Sequence, residues 1–147
     1  MKTEEIQGCG KMDSERVLEY LLKQDRGIVL LDGYSGCGKT TCLRKLKATS
    51  SRSVFLFSYR DVVGEMLRTE CTCDEYLLDI CKENCVICIE DVDYLFGKEA
   101  TQEYLTKMIQ IAAQKHLIIL TGNDTQPRIS VLCQVCTPNI IEFKQLG

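Results

Sequence analysis

A glycine-rich run contains the residues of this chain that are best suited to bind phosphate. It reads Gly33-Tyr34-Ser35-Gly36-Cys37-Gly38-Lys39-Thr40, which fits the P-loop pattern of a glycine, four residues and Gly-Lys-Thr. Glycines let the backbone turn its N–H groups towards phosphate oxygens. Lys39 would add a positive charge at the β- and γ-phosphates, and Thr40 a hydroxyl ligand for Mg²⁺. We therefore predict a phosphate site that includes this run and the next residue, Thr41.

Polar residues end two apolar runs further along the chain. Ile87-Cys88-Ile89 is followed by Glu90 and Asp91, and Leu120-Thr121-Gly122 is followed by Asn123. In P-loop proteins, an acid at the end of a strand binds Mg²⁺ directly or through water. A second acid beside it can activate the attacking water. Asn123 could reach the γ-phosphate or that water, so we predict that these residues complete the site.

The elements that must position these residues are short strands and amphipathic helices. Apolar runs predict five strands, at residues 28–31, 54–57, 85–89, 117–120 and 140–143. The apolar periodicity predicts helices at 14–24, 39–47 and 99–114, with two short helices in 61–83. Apolar strands alternating with helices are typical of a parallel sheet covered on both faces. We predict a three-layer α/β fold with a five-stranded parallel sheet.

Length and composition indicate one ordinary globular domain. The 147 residues are 45% hydrophobic and 27% charged, and we predict an N-terminal segment and helix over 1–26 and a core over 27–147. No apolar window approaches a membrane span, and the polar N-terminus is not a secretory signal. With no such signal, the ten cysteines are better explained as reduced thiols, so we expect a cytoplasmic protein.

Two longer stretches resemble a known family. The stretch from Val86 to Leu105, with two acids, an aromatic-Leu pair and Gly-Lys-Glu-x-Thr-Gln-Glu, resembles the Walker B region of the AAA+ family, and within it the DnaA family of replication initiators. Ile118 to Pro127 is similar to that family's sensor 1 strand. Val54 to Tyr59 is similar to its second strand, and Ile6 to Gly10 to the segment over the adenine. The resemblance implies an AAA+ type P-loop NTPase fold.

The resemblance also assigns roles to single residues. Lys39 and Thr40 would hold phosphate and Mg²⁺, with Glu90 as the metal acid, Asp91 as the catalytic acid and Asn123 as sensor 1. The family has Asp at the metal position. Because Glu90 is one methylene longer, Mg²⁺ binding through water is the expected consequence.

The chain departs from the family in its arginines. No arginine follows Arg128, and the region where the family places an arginine finger, Val131 to Thr137, has none. The lid and the family's DNA-binding domain also have no counterpart in these residues. An arginine finger contributes orders of magnitude to phosphoryl transfer. We therefore expect a core that binds Mg²⁺ with ATP or ADP and has little or no ATPase activity alone.

Three functions remain open at this point. The first is a nucleotide-dependent contact with a protein partner, either another AAA+ subunit or a replication protein. The second is an ATPase whose arginine finger comes from a partner. The third is a small-molecule P-loop kinase, although the chain lacks the arginine-bearing lid of such enzymes. The resemblance implies that residues 60–84 correspond to the helices that contact single-stranded DNA in DnaA-like proteins. Here they carry three basic and seven acidic side chains, a net charge of −4, which disfavours direct DNA binding.

Other polar residues are interpreted as structural. Cys85 and Cys88 lie in a predicted strand, where an i, i+3 pair diverges, so they should not share a metal. Cys133 and Cys136 have zinc-compatible spacing and could bind a metal together with Cys71 and Cys73, although nothing in the sequence places the two pairs together. His116 is expected at the surface or at an edge. The basic residues Arg44, Lys45, Lys47 and Arg52 are expected to form the solvated face of a helix.

Overall fold

A computed structural model of the chain describes residues 11–12, 14–33, 38–58, 60–61, 83–92, 99–122 and 139–143. Its helices are α1 (Ser14–Lys23), α2 (Lys39–Thr49) and α3 (Glu99–Ala112). Its strands are β1 (Lys11–Met12), β2 (Gly27–Asp32), β3 (Val54–Ser58), β4 (Val86–Glu90), β5 (Leu117–Gly122) and β6 (Asn139–Phe143). The predicted short helices in 61–83 fall largely outside the described residues.

The strands form one parallel sheet in the order β1-β6-β2-β5-β4-β3. The five predicted strands are all present, and the two-residue strand β1 adds to the edge beside β6. Strand β2, which precedes the glycine-rich loop, lies between β5 and β6. Strand β4 lies on the other side of β5. The carboxyl ends of β2, β5 and β4 are therefore neighbours. They form the edge of the sheet at which the strands end, and this is the edge meant below.

Alternating side chains of the strands fill two apolar cores, one on each face of the sheet. Leu30 and Ile89 point to the face covered by α3, whose Leu105 and Ile109 are fully buried there. On the opposite face, α1 and α2 pack against Leu31 and its neighbours on that side. Burying one such aliphatic side chain contributes about 1.5–3 kcal/mol. The three-layer α/β fold with helices on both faces is confirmed.

The amino ends of the strands are held together by a network around Arg52. Its guanidinium donates hydrogen bonds to the carbonyl oxygens of Gln24 and Asp25, both at 2.6 Å, and to Asn84 Oδ1 at 2.9 Å. Asn84 Nδ2 in turn donates to the carbonyl oxygens of Asp25 at 3.2 Å and Lys115 at 2.6 Å. Because α1 ends at Lys23, the guanidinium lies close to the negative end of that helix, where a cation is favoured.

The interpretation of the basic cluster is correct for three of its four members. Arg44, Lys45 and Lys47 are exposed on α2, as expected for a solvated face. Helix α2 ends at Thr49, however, so Arg52 lies beyond it and is half-buried in the network just described.

The expectation for His116 is wrong, because this residue is 96% buried, directly before β5. Its Nδ1 accepts a hydrogen bond from the backbone N–H of Cys85 at 3.2 Å, and the Cys85 Sγ lies 3.5 Å from the same nitrogen. The burial, with Lys115 beside it, lowers the pKa of His116 below its usual value. A neutral ring is what this arrangement requires, because Nδ1 serves as the acceptor.

The three described cysteines behave as small apolar residues. Cys42, Cys85 and Cys88 are buried, and burial raises the pKa of Cys42 to about 11. Cys85 belongs to the core on the α3 face, whereas Cys88 belongs to the core on the other face. The prediction that these two side chains diverge is therefore confirmed. Cys133 and Cys136 lie outside the described residues.

None of the helices in the described part of the chain is long and apolar enough to span a bilayer.

Candidate functional site

Both ends of the glycine-rich loop are described, and they meet the edge of the sheet as the loop pattern predicts. Gly33 follows β2 directly, and Gly38 immediately precedes α2. Gly38 has φ 103° and ψ 9°, a left-handed conformation that glycine adopts without strain. Helix α2 has no acidic residue of its own in its first turn, and its positive end faces the loop. Tyr34, Ser35, Gly36 and Cys37 lie outside the described residues.

The ammonium group of Lys39 links the start of the glycine-rich loop to the end of β5. Its Nζ donates hydrogen bonds to the carbonyl oxygen of Gly33 and, at 3.0 Å, to that of Gly122. Lys39 is 93% buried. A lysine is rarely buried to this extent unless its ammonium group has polar partners, as it does here. The cation is thus fixed between the start of the loop and the end of β5, directly before Asn123. Asn123 itself lies outside the described residues.

Thr40 and Glu90 are brought into contact from separate elements. The Thr40 hydroxyl donates a hydrogen bond of 2.7 Å to Glu90 Oε1. Thr40 is exposed and Glu90 is half-buried. Oxygen ligands of this kind, one hydroxyl and one carboxylate, suit Mg²⁺, which keeps several waters and uses few protein ligands. The residues present therefore fit an Mg²⁺ ion bound together with phosphate.

Asp91 leaves the sheet immediately after β4. Its φ is +59°, the one positive value of a non-glycine residue in the described part of the chain. Its backbone N–H donates a hydrogen bond of 3.1 Å to the hydroxyl of Thr121. Thr41, the last predicted residue of the phosphate site, is exposed in the first turn of α2.

Sequence reasoning missed two residues at this edge. Thr121, which is 98% buried, accepts a hydrogen bond from the backbone N–H of Asp91. Asp32, 93% buried at the end of β2, has an Oδ1 atom with no hydrogen-bond partner among the described residues. Its register partner on β5 is Gly122. The signal for both was a polar residue ending an otherwise apolar run.

Comparison with protein families agrees with this geometry. The family model described as "ATPase family associated with various cellular activities (AAA)" matches residues 29–142, which include the loop, the acidic pair and most of β6. The chain belongs to the AAA family. No curated protein sequence is significantly similar to it.

Solved structures of replication initiators share the fold of this AAA core. The AMPPCP-bound DnaA from Aquifex aeolicus matches with a TM-score of 0.68 and 18% identity, over 88% of this chain and 45% of that one. The replication initiator DnaA bound to AMPPCP and single-stranded DNA matches at 0.64 and 18%, over 90% and 44%. Domain III of the Thermotoga maritima replication initiation protein DnaA matches at 0.63 and 16%, over 89% and 59%.

These matches establish the fold alone, because the identities are low. The chain spans between about two fifths and three fifths of the length of the structures it matches. The AAA core of this chain resembles the DnaA ATPase domains, and nucleotide binding is consistent with that likeness.

Proposed function

We propose that this chain is the Mg²⁺-ATP- or ADP-binding core of a DnaA-like replication initiator or of a related regulator. The single observation that carries the proposal is the contact between Thr40 and Glu90, in which a P-loop hydroxyl meets the acid that ends β4. Two separate sequence motifs thereby converge on one point beside a buried lysine. This arrangement supports binding of Mg²⁺ and phosphate together.

Each residue of the site has a proposed role. Residues 33–41 would surround the phosphates with backbone N–H groups, and Lys39 would exchange one carbonyl partner for a phosphate oxygen. Thr40 and Glu90 would bind Mg²⁺, which neutralises charge on the phosphates when it is bound. Asp91 and Asn123 would face the γ-phosphate.

Hydrolysis, where it occurs, would rely on Asp91. A water molecule would add its oxygen to the γ-phosphorus, ADP would leave with the bridging oxygen, and Asp91 would accept the water's proton. The arginines Arg26 and Arg52 hydrogen-bond at the opposite edge of the sheet, remote from this chemistry. The proposal of little or no ATPase activity for the chain alone rests on the sequence of residues 131–137, which contains no arginine.

The proposed output is a nucleotide-dependent contact with a protein, either another AAA+ subunit or a replication protein. One relative was solved with single-stranded DNA. The net charge of −4 over residues 60–84 of this chain disfavours direct DNA binding. The proposed location is the cytoplasm, because the ten cysteines are better explained as reduced thiols. We treat residues 1–147 as one AAA+ core.

Calorimetric titration with ATP and ADP, each with and without Mg²⁺, tests the nucleotide site. The parent chain should show saturable binding that requires Lys39, so Lys39→Ala should bind neither nucleotide. Lys45→Ala is the matched control, because Lys45 is an exposed lysine of the same helix, and it should bind like the parent. Absence of binding in the parent, or equal binding by Lys39→Ala, would contradict the proposal.

A turnover measurement separates the proposed low activity from an ATPase completed by a partner. The rate per molecule should stay flat as the concentration of the chain rises. A steep rise would indicate an arginine finger supplied between copies, with Arg128 as the first residue to replace. Stimulation by an added AAA+ protein would favour the partner-supplied finger instead.

A further inference from the structure

The last two residues of β5 contact both groups that flank the proposed γ-phosphate position. The Thr121 hydroxyl accepts a hydrogen bond of 3.1 Å from the backbone N–H of Asp91. The carbonyl oxygen of the next residue, Gly122, accepts a hydrogen bond of 3.0 Å from Lys39 Nζ. These two bonds join the strand to the acid that follows β4 and to the first residue of α2. One short segment thus holds the acid and the cation in fixed relation.

The hydroxyl of Thr121 replaces a bond of the sheet. The β4–β5 ladder ends at the pair Ile89–Leu120, and Asp91 turns away with φ +59°. A non-glycine residue adopts this conformation rarely, although Asp tolerates it better than most. The turn removes the Asp91 N–H from the hydrogen-bond ladder of the sheet. The N–H donates a hydrogen bond to the Thr121 hydroxyl instead. Because Thr121 is 98% buried, its position is set by packing.

We propose that Thr121 is a positioning residue for Asp91. Its hydroxyl fixes the backbone at Asp91 and thereby the direction in which the carboxylate leaves the sheet. Thr121 acts through Asp91 and does not touch the nucleotide. The inference rests on the proposed function, because Asp91 needs a defined direction only if it faces a γ-phosphate or its attacking water. A misplacement of about 1 Å in such a group can cost on the order of a hundredfold in rate.

Three variants separate the hydroxyl from the shape of the side chain. Thr121→Val keeps the branched shape and removes the acceptor, whereas Thr121→Ser keeps the hydroxyl and removes a methyl group. Asp91→Asn removes the charge of the acid itself. Thermal unfolding confirms that each variant is folded at the assay temperature, and Thr121→Ala replaces Thr121→Val if the valine variant is not.

The readout is a preference between two ligands and does not require turnover. Affinity is measured for Mg²⁺-ADP and for Mg²⁺-ADP with aluminium fluoride, which mimics the phosphoryl group in transfer. The parent should bind the fluoride complex at least tenfold more tightly than ADP alone. Thr121→Val should lose at least fivefold of that preference while its Kd for Mg²⁺-ADP stays within twofold of the parent's. Thr121→Ser should restore the preference.

The double variant shows whether Thr121 acts through Asp91. If it does, Thr121→Val combined with Asp91→Asn should lose no more preference than Asp91→Asn alone. Additive losses would overturn the inference, as would a full preference in Thr121→Val. A parent with no preference for the fluoride complex would also overturn it. The nucleotide site would survive any of these results if ADP binding is still lost in Lys39→Ala, so the two proposals fail separately.

Discussion

The hydroxyl of Thr40 lies 2.7 Å from Oε1 of Glu90, which joins the first turn of α2 to the carboxyl end of β4. The two residues are fifty positions apart in the chain, and only a parallel sheet with β4 near the loop brings them together. This contact defines the side of the loop on which a Mg²⁺ ion would bind. It also gives the longer carboxylate of Glu90 a defined partner.

Replacing Glu90 by Gln should weaken nucleotide binding in the presence of Mg²⁺ and leave binding in its absence unchanged. Glutamine keeps an oxygen that can accept the Thr40 hydrogen bond, but it removes the negative charge that attracts the cation. We expect the Mg²⁺ concentration for half-maximal ATP binding to rise at least tenfold, which corresponds to about 1.4 kcal/mol. A titration of Mg²⁺ at fixed ATP measures this, with Glu103→Gln, an exposed acid of α3, as the control. Equal Mg²⁺ dependence in Glu90→Gln and the parent would disprove the metal assignment.

The left-handed backbone at Asp91 predicts an unusual order of stabilities. Glycine adopts φ +59° freely, whereas alanine is strained there by about 1 kcal/mol. Asp91→Gly should therefore be more stable than Asp91→Ala by about that amount, the reverse of the order in a helix. Urea unfolding of the two variants gives the comparison directly. If alanine is the more stable replacement, Asp91 does not adopt this conformation in solution.

The sequence predicted the sheet better than it predicted the hydrogen bonds at its edges. Strands β2 and β5 are continuous apolar runs because both faces are buried, so their pattern is visible without a partner. Strand β1 has only two residues, and its pairing depends on β6 far along the chain. No local pattern could have indicated it.

The errors and omissions have a shared physical cause. His116 was expected at the surface because a single histidine carries no sign of the backbone N–H that it meets, 31 residues away in Cys85. Thr121 and Asp32 were missed because the meaning of a polar residue at a strand end depends on the neighbouring strand. The sequence predicted that Lys39, Thr40 and Glu90 would lie at the same end of the sheet, because their positions follow from the geometry of one loop and one nearby strand.

Burial of neutral His116 predicts a loss of stability in mild acid. Its folded-state pKa lies below the unfolded value of about 6.5. Between these two pKa values the unfolded chain binds more protons, so the free energy of unfolding rises with pH. The contribution is fully present above pH of about 6.5 and is lost as the pH falls towards the folded pKa.

Chemical unfolding of the parent between neutral pH and mild acid measures this dependence. His116 is the single histidine of the chain, so His116→Gln removes the only histidine titration. The slopes of unfolding free energy against pH are compared at pH values above the range in which carboxylates titrate. In that range the slope should be smaller in His116→Gln than in the parent. Identical slopes in the two proteins would contradict the prediction.

Arg52 should contribute more to stability than any exposed arginine of α2. Its guanidinium donates to two carbonyl oxygens and one side-chain oxygen, which would lose their partner in Arg52→Ala. We expect a loss of about 2 kcal/mol in the free energy of unfolding, because hydrogen bonds to a charged donor are among the stronger ones. Arg44→Ala is the matched control and should change stability by less than about 0.5 kcal/mol, because Arg44 is exposed on α2. Similar losses in both variants would mean that the network contributes little.

Asp32 offers the sharpest test of charge at the phosphate edge. Its carboxylate is 93% buried at the end of β2, directly before Gly33, and its Oδ1 lacks a hydrogen-bond partner in the described part of the chain. A negative charge there opposes binding of an anionic ligand, since charges interact strongly where water is excluded. Asp32→Asn keeps the shape and removes the charge. We expect it to bind ATP and ADP about threefold to tenfold more tightly, a gain of roughly 0.7–1.4 kcal/mol.

The control for Asp32→Asn is Asp25→Asn, an exposed acid at the opposite edge of the sheet, which should bind nucleotide like the parent. Calorimetric titration of the three proteins with ATP at one ionic strength gives the comparison, and low salt should enlarge the difference because screening is weaker. Weaker binding by Asp32→Asn would reverse the interpretation. It would mean that the carboxylate is required, because it then holds in place a donor or a cation that contacts the nucleotide.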